Sequence, residues 1–141
     1  MLKGIDPRLT PELLHLLALM GHGDTLAVVD RNYPAASTGE RVVRLDGLDL
    51  LEALDTVLSV FPVDTFIDQP VAAMDDVAAP ERVPDVQAEA FAAIERVEGR
   101  PIGVERVERF AFYGRVRGCF GVVTTTEDRP YGCIILTKGV V

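Results

Sequence analysis

The sequence predicts an α/β fold: a single three-layer domain over residues 1–141, with a mixed, mostly parallel sheet covered by helices on both faces. Three observations predict it. Short runs rich in β-branched residues alternate with segments of helical periodicity, the pattern of strands and helices wound into a covered sheet. The strand candidates are almost wholly apolar, as strands buried on both faces are. The last two, 119–125 and 133–138, have no helix between them, so that edge is expected to be antiparallel and the sheet mixed. Length agrees, because 141 residues make one domain on the usual prior. Near ~150 residues a chain buries roughly 70% of its unfolded surface, so one core suffices.

The elements follow in order. Thr10 is a good N-cap, Pro11 suits the first helical position, and Glu12 lies near the positive end of the dipole. Leu13, Leu14, Leu16, Leu17 and Met20 follow at helical spacing, and Gly21 supplies a stop. Thr25 to Asp30 reads as a buried strand, Arg31 to Gly39 as a loop, and Arg41 to Asp46 as a second strand. Leu48 to Phe61 places Leu50, Leu51, Leu54, Val57, Leu58 and Phe61 on one helical face. Val71 to Val77 reads as a strand, and Ala78 to Val83 as an ordinary loop. Pro84 to Val97 is a helix with Phe91, Ile94 and Val97 inward, ended by Gly99. A strand over Ile102 to Val107 and a short helix over Glu108 to Arg117 precede the final two strands.

Composition excludes several functions. Fourteen Lys and Arg against twenty-two Asp and Glu leave a net charge of −8. Nucleic acid and anionic membrane partners need a basic footprint, so neither is expected. No apolar run approaches the ~20 residues that cross a bilayer. Asp6 and Pro7 interrupt the N-terminus where a secretory signal would run apolar, so a cytoplasmic location is expected. Two cysteines, Cys119 and Cys133, fit that location as thiols, and no Cys-x-x-Cys suggests zinc. Neither His15 nor His22 has a second ligand at metal-site spacing, so no metal is expected.

The residues that could carry chemistry are few. His15 lies within a helix between leucines and reads as a partly exposed helix residue. His22 stands between Gly21 and Gly23, just past a helix and just before a strand. Flanking glycines let the backbone turn sharply and a ligand come close; they also suit a simple helix stop, and both readings stand. Asp24 and Asp30 bracket the next strand, and Asp30 lies at its C-terminal end, where α/β sheets place their ligand crevice. A turn-capping carboxylate is the plainer reading for Asp30 and for Asp64. Arg109 to Tyr113 combines a cation with three aromatics, of which Phe110 and Phe112 are expected in the core. Arg109 and Tyr113 have polar tips that could meet a hydroxylated ligand. Tyr131, Gly132 and Cys133 open the final strand, where the glycine permits close backbone approach. Phosphate loops, dinucleotide fingerprints, serine-hydrolase elbows and zinc-protease motifs are all missing. A histidine, carboxylates, an arginine and two tyrosines suit proton transfer on a small polar ligand, and nucleotide cofactors lack support.

Five segments together resemble one family. They are Met-Gly-His-Gly-Asp at 20–24, Asp30 with Asn32-Tyr33-Pro34, Arg44-Leu45-Asp46-Gly47-Leu48, Arg109-Phe-Ala-Phe-Tyr113, and Tyr131-Gly-x-Ile-Ile-Leu-x-Lys-Gly139. With the opening Leu-Lys-Gly-Ile and Leu-Thr-Pro-Glu-Leu-Leu, they resemble the ribose pyranase and fucose mutarotase family from end to end. The Arg-Phe-x-Phe-Tyr segment is closer to its fucose branch. The resemblance implies a cofactor-free isomerase that interconverts the anomers of a reducing sugar, most simply L-fucose. It also implies ring-shaped homo-oligomers, often decamers, with sites near subunit boundaries. Carried over by motif, His22 matches the acid/base, with Asp64 and Tyr113 at positions implicated in the fucose branch. Asp30, Arg109, Tyr131, Gly132 and Cys133 fall at sugar-contacting positions. At Cys133 the family pattern has Asn, whose amide both donates and accepts where a thiol does either weakly.

Mutarotation needs a proton delivered to the ring oxygen and one removed from the anomeric hydroxyl, and histidine is the side-chain type suited to both near pH 7. Asp30 is expected to orient the His22 ring or to hold sugar hydroxyls, with Tyr113 as a proton relay. Ribose pyranose–furanose interconversion uses the same open chain and is the near alternative. A monosaccharide-binding protein without catalysis and a purely structural ring former are the others.

Overall fold

The computed structural model describes residues 1–141. Eleven elements follow one another: α1 (Pro11–Leu19), β1 (Thr25–Val29), α2 (Ala35–Thr38), β2 (Val42–Arg44), α3 (Leu50–Leu58), β3 (Val71–Met74), α4 (Asp85–Glu98), β4 (Val104–Val107), α5 (Arg109–Arg117), β5 (Gly121–Thr124) and β6 (Ile134–Thr137). No helix is long and apolar enough to cross a membrane.

Local chemistry sets the helix starts. The Thr10 side chain accepts from the Leu13 amide, with Pro11 behind it. Asp49 and Glu52 form a reciprocal capping box that satisfies two orphan amides at the start of α3. Glu108 accepts from the amides of Phe110 and Ala111 and so starts α5 at the residue that matters for the site.

The strands form one sheet in the order β2-β5-β1-β6-β3-β4. β2, β5 and β1 are mutually parallel, as are β3 and β4. β6 runs antiparallel to both of its neighbours, β1 and β3. The mixed, mostly parallel sheet is therefore as expected, but the antiparallel element is central and not at an edge. β5 and β6 do not pair with each other; they flank β1 on either side. The segment between them crosses over the end of β1, held there by the Arg31 amide donating to the Glu127 carbonyl at 3.1 Å.

Alternation along the strands supplies two cores. Leu26, Val28, Val71, Val123, Ile134 and Leu136 face α1, α3 and α4. Ala27, Val29, Ala72, Val122 and Ile135 face the smaller layer that holds Ala35 of α2 and Phe112 and Val116 of α5. Both faces are thus covered, giving three layers.

Three local expectations change. The 31–39 loop contains the short α2, whose Thr38 hydroxyl donates back to the Pro34 carbonyl at 2.9 Å. Val97 is exposed, because α4 turns the face that carries Val86, Ala90 and Ile94 inward. Phe110 is 70% exposed while Phe112 is fully buried, since two residues span about 200° of a helix and cannot share a face. Phe112 meets Tyr33 edge-on at 6.2 Å and pins α5 to the sheet. Phe112→Ala is expected to destabilise the fold by about 3–5 kcal/mol, read as a lower urea midpoint at unchanged slope.

Candidate active site

The predicted residues gather at two opposite ends of the sheet. His22 and Asp64 lie at one end; Asp30, Arg109, Tyr113, Tyr131, Gly132 and Cys133 lie at the other. The strand β1 separates His22 from Asp30, and β6 separates Cys133 from Lys138. Five residues at the usual strand rise span about 16 Å.

The first half is built on the turn after α1. Lys138 straps this turn: its Nζ donates to the Leu17 and Met20 carbonyls at 2.9 and 2.7 Å, satisfying the end of the helix. Its carbonyl accepts from the Gly23 amide at 2.9 Å. Asp24 accepts from the Gly21 amide at 2.7 Å and closes the turn. His22 is thereby presented outward, 44% exposed, with its Nε2 3.0 Å from Oδ1 of the buried Asp64. The Phe66 ring lies 5.0 Å from the imidazole, tilted by 52°.

Asp64 is fixed by its backbone. Its amide donates to the Thr137 carbonyl at 3.0 Å, and Arg100 donates to its carbonyl at 2.9 Å. A Cβ on Gly139 would sit 2.9 Å from the Asp64 Cα, so only glycine lets the two segments approach this closely. Burial pushes the Asp64 carboxyl up, but the Phe66 amide and His22 together hold it below the ordinary carboxylate value. It stays an anion, and an anion only accepts; His22 therefore carries its hydrogen on Nε2.

The second half lines a cavity of about 190 Å³ between Asp30, Tyr33, Arg109, Tyr113, Tyr131 and Cys133. Asp30 is buried, with its Oδ1 accepting from the Asn32 amide at 3.0 Å and its Oδ2 3.4 Å from the Cys133 sulfur. Burial raises its pKa above the usual carboxylate value despite those donors. Burial, and then the charge of Asp30, push the Cys133 thiol well up, so it remains a protonated donor. Tyr33, a residue singled out only within a motif, joins this wall; burial lifts its phenol to about 12. Arg109 donates from Nε to the Tyr113 hydroxyl at 2.9 Å and stays exposed at the rim. Gly132 lies against Asp30, whose Cβ is 3.5 Å from where a glycine Cβ would stand.

Of the two roles expected for Asp30, the structure sets aside the first, and it places Tyr113 far from His22. Asp30 does not orient His22, because β1 lies between them; Asp64 makes that contact. Tyr113 belongs with Arg109 and cannot relay a proton to His22 within one chain. Both cysteines are free and buried. No three His, Cys, Asp or Glu side chains converge as metal ligands would.

The chain matches the RbsD / FucU transport protein family over residues 3–141 and belongs to that family. It is 44% identical to the L-fucose mutarotase of Actinobacillus pleuropneumoniae over 140 residues, 99% of this chain and 97% of that one. A crystal structure of the fucose mutarotase from Streptococcus pneumoniae in complex with L-fucose superposes with a TM-score of 0.92 at 34% identity, covering 99% of each chain. FucU from Bifidobacterium longum gives the same TM-score at 38% identity, again over 99% of each chain. Bacillus subtilis RbsD, in complex with D-ribose, shares the fold with a TM-score of 0.74 at 21% identity, over 100% of this chain and 99% of that one.

The depressed Asp64 value has a consequence for stability. A lowered folded-state pKa stabilises above the unfolded value of about 3.9 and ceases to do so as pH falls through the folded value. The stability difference between wild type and Asp64→Asn is therefore expected to be present at neutral pH and to shrink steadily below about pH 4. Urea titrations of both proteins across that range check it.

Proposed function

We propose that this protein is a cofactor-free monosaccharide mutarotase, with L-fucose as its substrate. The near full-length identity to L-fucose mutarotases carries the reading. The site chemistry supports it: hydroxyls, a carboxylate and one guanidinium suit a neutral polyol better than a charged ligand. Fucose is favoured over ribose because relatives named L-fucose mutarotase stand at 39–44% identity, against 21% for the ribose-bound RbsD.

In this reading the active site forms between copies of the chain, in a ring-shaped homo-oligomer. The His22–Asp64 end of one copy faces the Asp30 cavity of the next. Each half is flanked by exposed apolar side chains, Phe66 at 71% and Ile67 at 47% beside His22, and Phe110 at 70% beside Arg109. Those surfaces suit burial against a neighbour.

The reaction then runs as follows. Asp64 holds Nε2, which leaves Nδ1 of His22 to exchange protons with the sugar. A proton leaves the anomeric hydroxyl as another reaches the ring oxygen; the C1–O5 bond breaks and an aldehyde forms. Rotation about C1–C2 presents the other carbonyl face. Closure re-forms C1–O5 and returns both protons. Asp30, Arg109 and Tyr131 hold the remaining hydroxyls, so the open chain is kept where it recloses.

Saturation-transfer NMR on L-fucose tests this, with D-ribose beside it. Wild type is expected to exchange L-fucose anomers faster than buffer, and His22→Ala to lose about 10²–10⁴-fold while remaining folded. Mixing refolded His22→Ala with Asp30→Asn is expected to restore activity, with roughly one quarter of shared sites carrying both intact halves. No exchange in wild type sinks the catalytic reading and leaves a sugar-binding protein. No recovery on mixing sinks the shared site.

A further inference from the structure

Tyr131 is the single non-glycine residue with a positive φ, 63°. The left-handed region is unfavourable for a bulky side chain and persists only where the surroundings impose it. The group that holds the Tyr131 carbonyl is Gln87, in the first turn of α4. Its side-chain amide is fully buried and donates to two main-chain carbonyls, that of Tyr131 at 2.8 Å and that of Met74 at 2.6 Å. Turning this amide around would set its oxygen against both carbonyls, so its orientation is fixed. One residue of α4 thus ties together the end of β3 and the segment entering β6, the two pieces of backbone that flank the cavity. Two residues along, Glu89 of the same helix accepts from Arg129 at 2.8 Å, and Arg129 also donates to the buried Glu127.

The other end of Tyr131 is held as well. Its hydroxyl accepts from the Val77 amide at 3.2 Å. An amide cannot accept in return, so the phenol hydrogen is left for an acceptor elsewhere.

We infer that Gln87 is a positioning residue for sugar binding: it holds Tyr131 in its left-handed conformation, so that the phenol donates its hydrogen to an oxygen of the sugar. This rests on the mutarotase reading. Gln87 itself touches no ligand; its effect passes through Tyr131.

A double-mutant cycle on the full-length protein tests it, with L-fucose affinity read by calorimetric titration and anomer exchange read by NMR. Gln87→Met keeps the side-chain length and removes both donors. Gln87→Met and Tyr131→Phe are each expected to weaken L-fucose binding by about tenfold, the worth of one hydrogen bond. The double variant is expected to be no weaker than Tyr131→Phe alone, because both changes remove the same contact. A merely structural Gln87 predicts otherwise: its penalty multiplies with that of Tyr131→Phe. Multiplying penalties, or a folded Gln87→Met with wild-type affinity, overturn the assignment. If Gln87→Met does not fold, Gln87→Asn replaces it, since its shorter amide still donates but cannot span both carbonyls; the same criterion applies. Wild type that neither binds nor exchanges L-fucose overturns the mutarotase reading and this one together. Wild type that does both, with an unaffected Gln87 variant, overturns this one alone.

Discussion

The register of β6 governs both ends of the molecule. Leu136 pairs with Leu26 on one side and Val71 on the other, so this four-residue strand is fixed by ladders in both directions. Its entry carries Tyr131, Gly132 and Cys133; its exit carries Lys138 and Gly139. A slip of one residue would turn Ile134 and Leu136 out of the larger core and Ile135 into it. The same slip would pull Cys133 away from Asp30 and remove the Lys138 strap from the turn that bears His22. Core packing and the placement of both half-sites thus rest on one strand pairing.

The two aspartates show how position decides chemistry. Both are buried, yet their carboxyls move in opposite directions. At Asp64, the Phe66 amide and the His22 ring outweigh burial, and the anion is held. At Asp30, burial outweighs the Asn32 amide and a weak thiol donor, and the proton is held more tightly than usual. The first is suited to fixing an imidazole; the second is suited to sharing hydrogen with hydroxyls. The difference lies in what each strand end puts nearby, since the residue type is the same.

Much of this was legible in the sequence. Thr10 announces a helix start by side-chain chemistry that acts over three residues, and the apolar runs announce buried strands, whereas the caps Asp49 and Glu108 lie inside the helices predicted over 48–61 and 108–117. Reading the last two strands as a paired edge failed because sequence neighbours usually pair; nothing local in 126–133 tells that the segment passes over β1. His22 and Asp64 were both singled out, but their contact spans 42 residues and depends on Gly139 admitting Asp64. Gln87 gave no signal, for a glutamine in a first helical turn is ordinarily solvated. Its burial, with donors to the Met74 and Tyr131 carbonyls 13 and 44 residues away, appears only in the fold.

The proposed division of the site between copies also bears on the net charge of −8. Acidic copies repel at long range, but at physiological ionic strength the interaction is screened beyond about 8 Å. In the proposed ring, association would then be driven at contact, by apolar groups near the surfaces that meet. Phe66 and Ile67 beside His22, and Phe110 beside Arg109, are exposed apolar side chains at those two ends. The side chains that join the copies in that ring would be the same ones that exclude water from the sugar, so that assembly and a dry proton-transfer site would arise from a single contact. The neutral sugar proposed as substrate would need no electrostatic steering, which leaves the surface free to be acidic. The cation at the rim, Arg109, is turned toward Tyr113 and the cavity, where a hydroxyl-bearing ligand can use it.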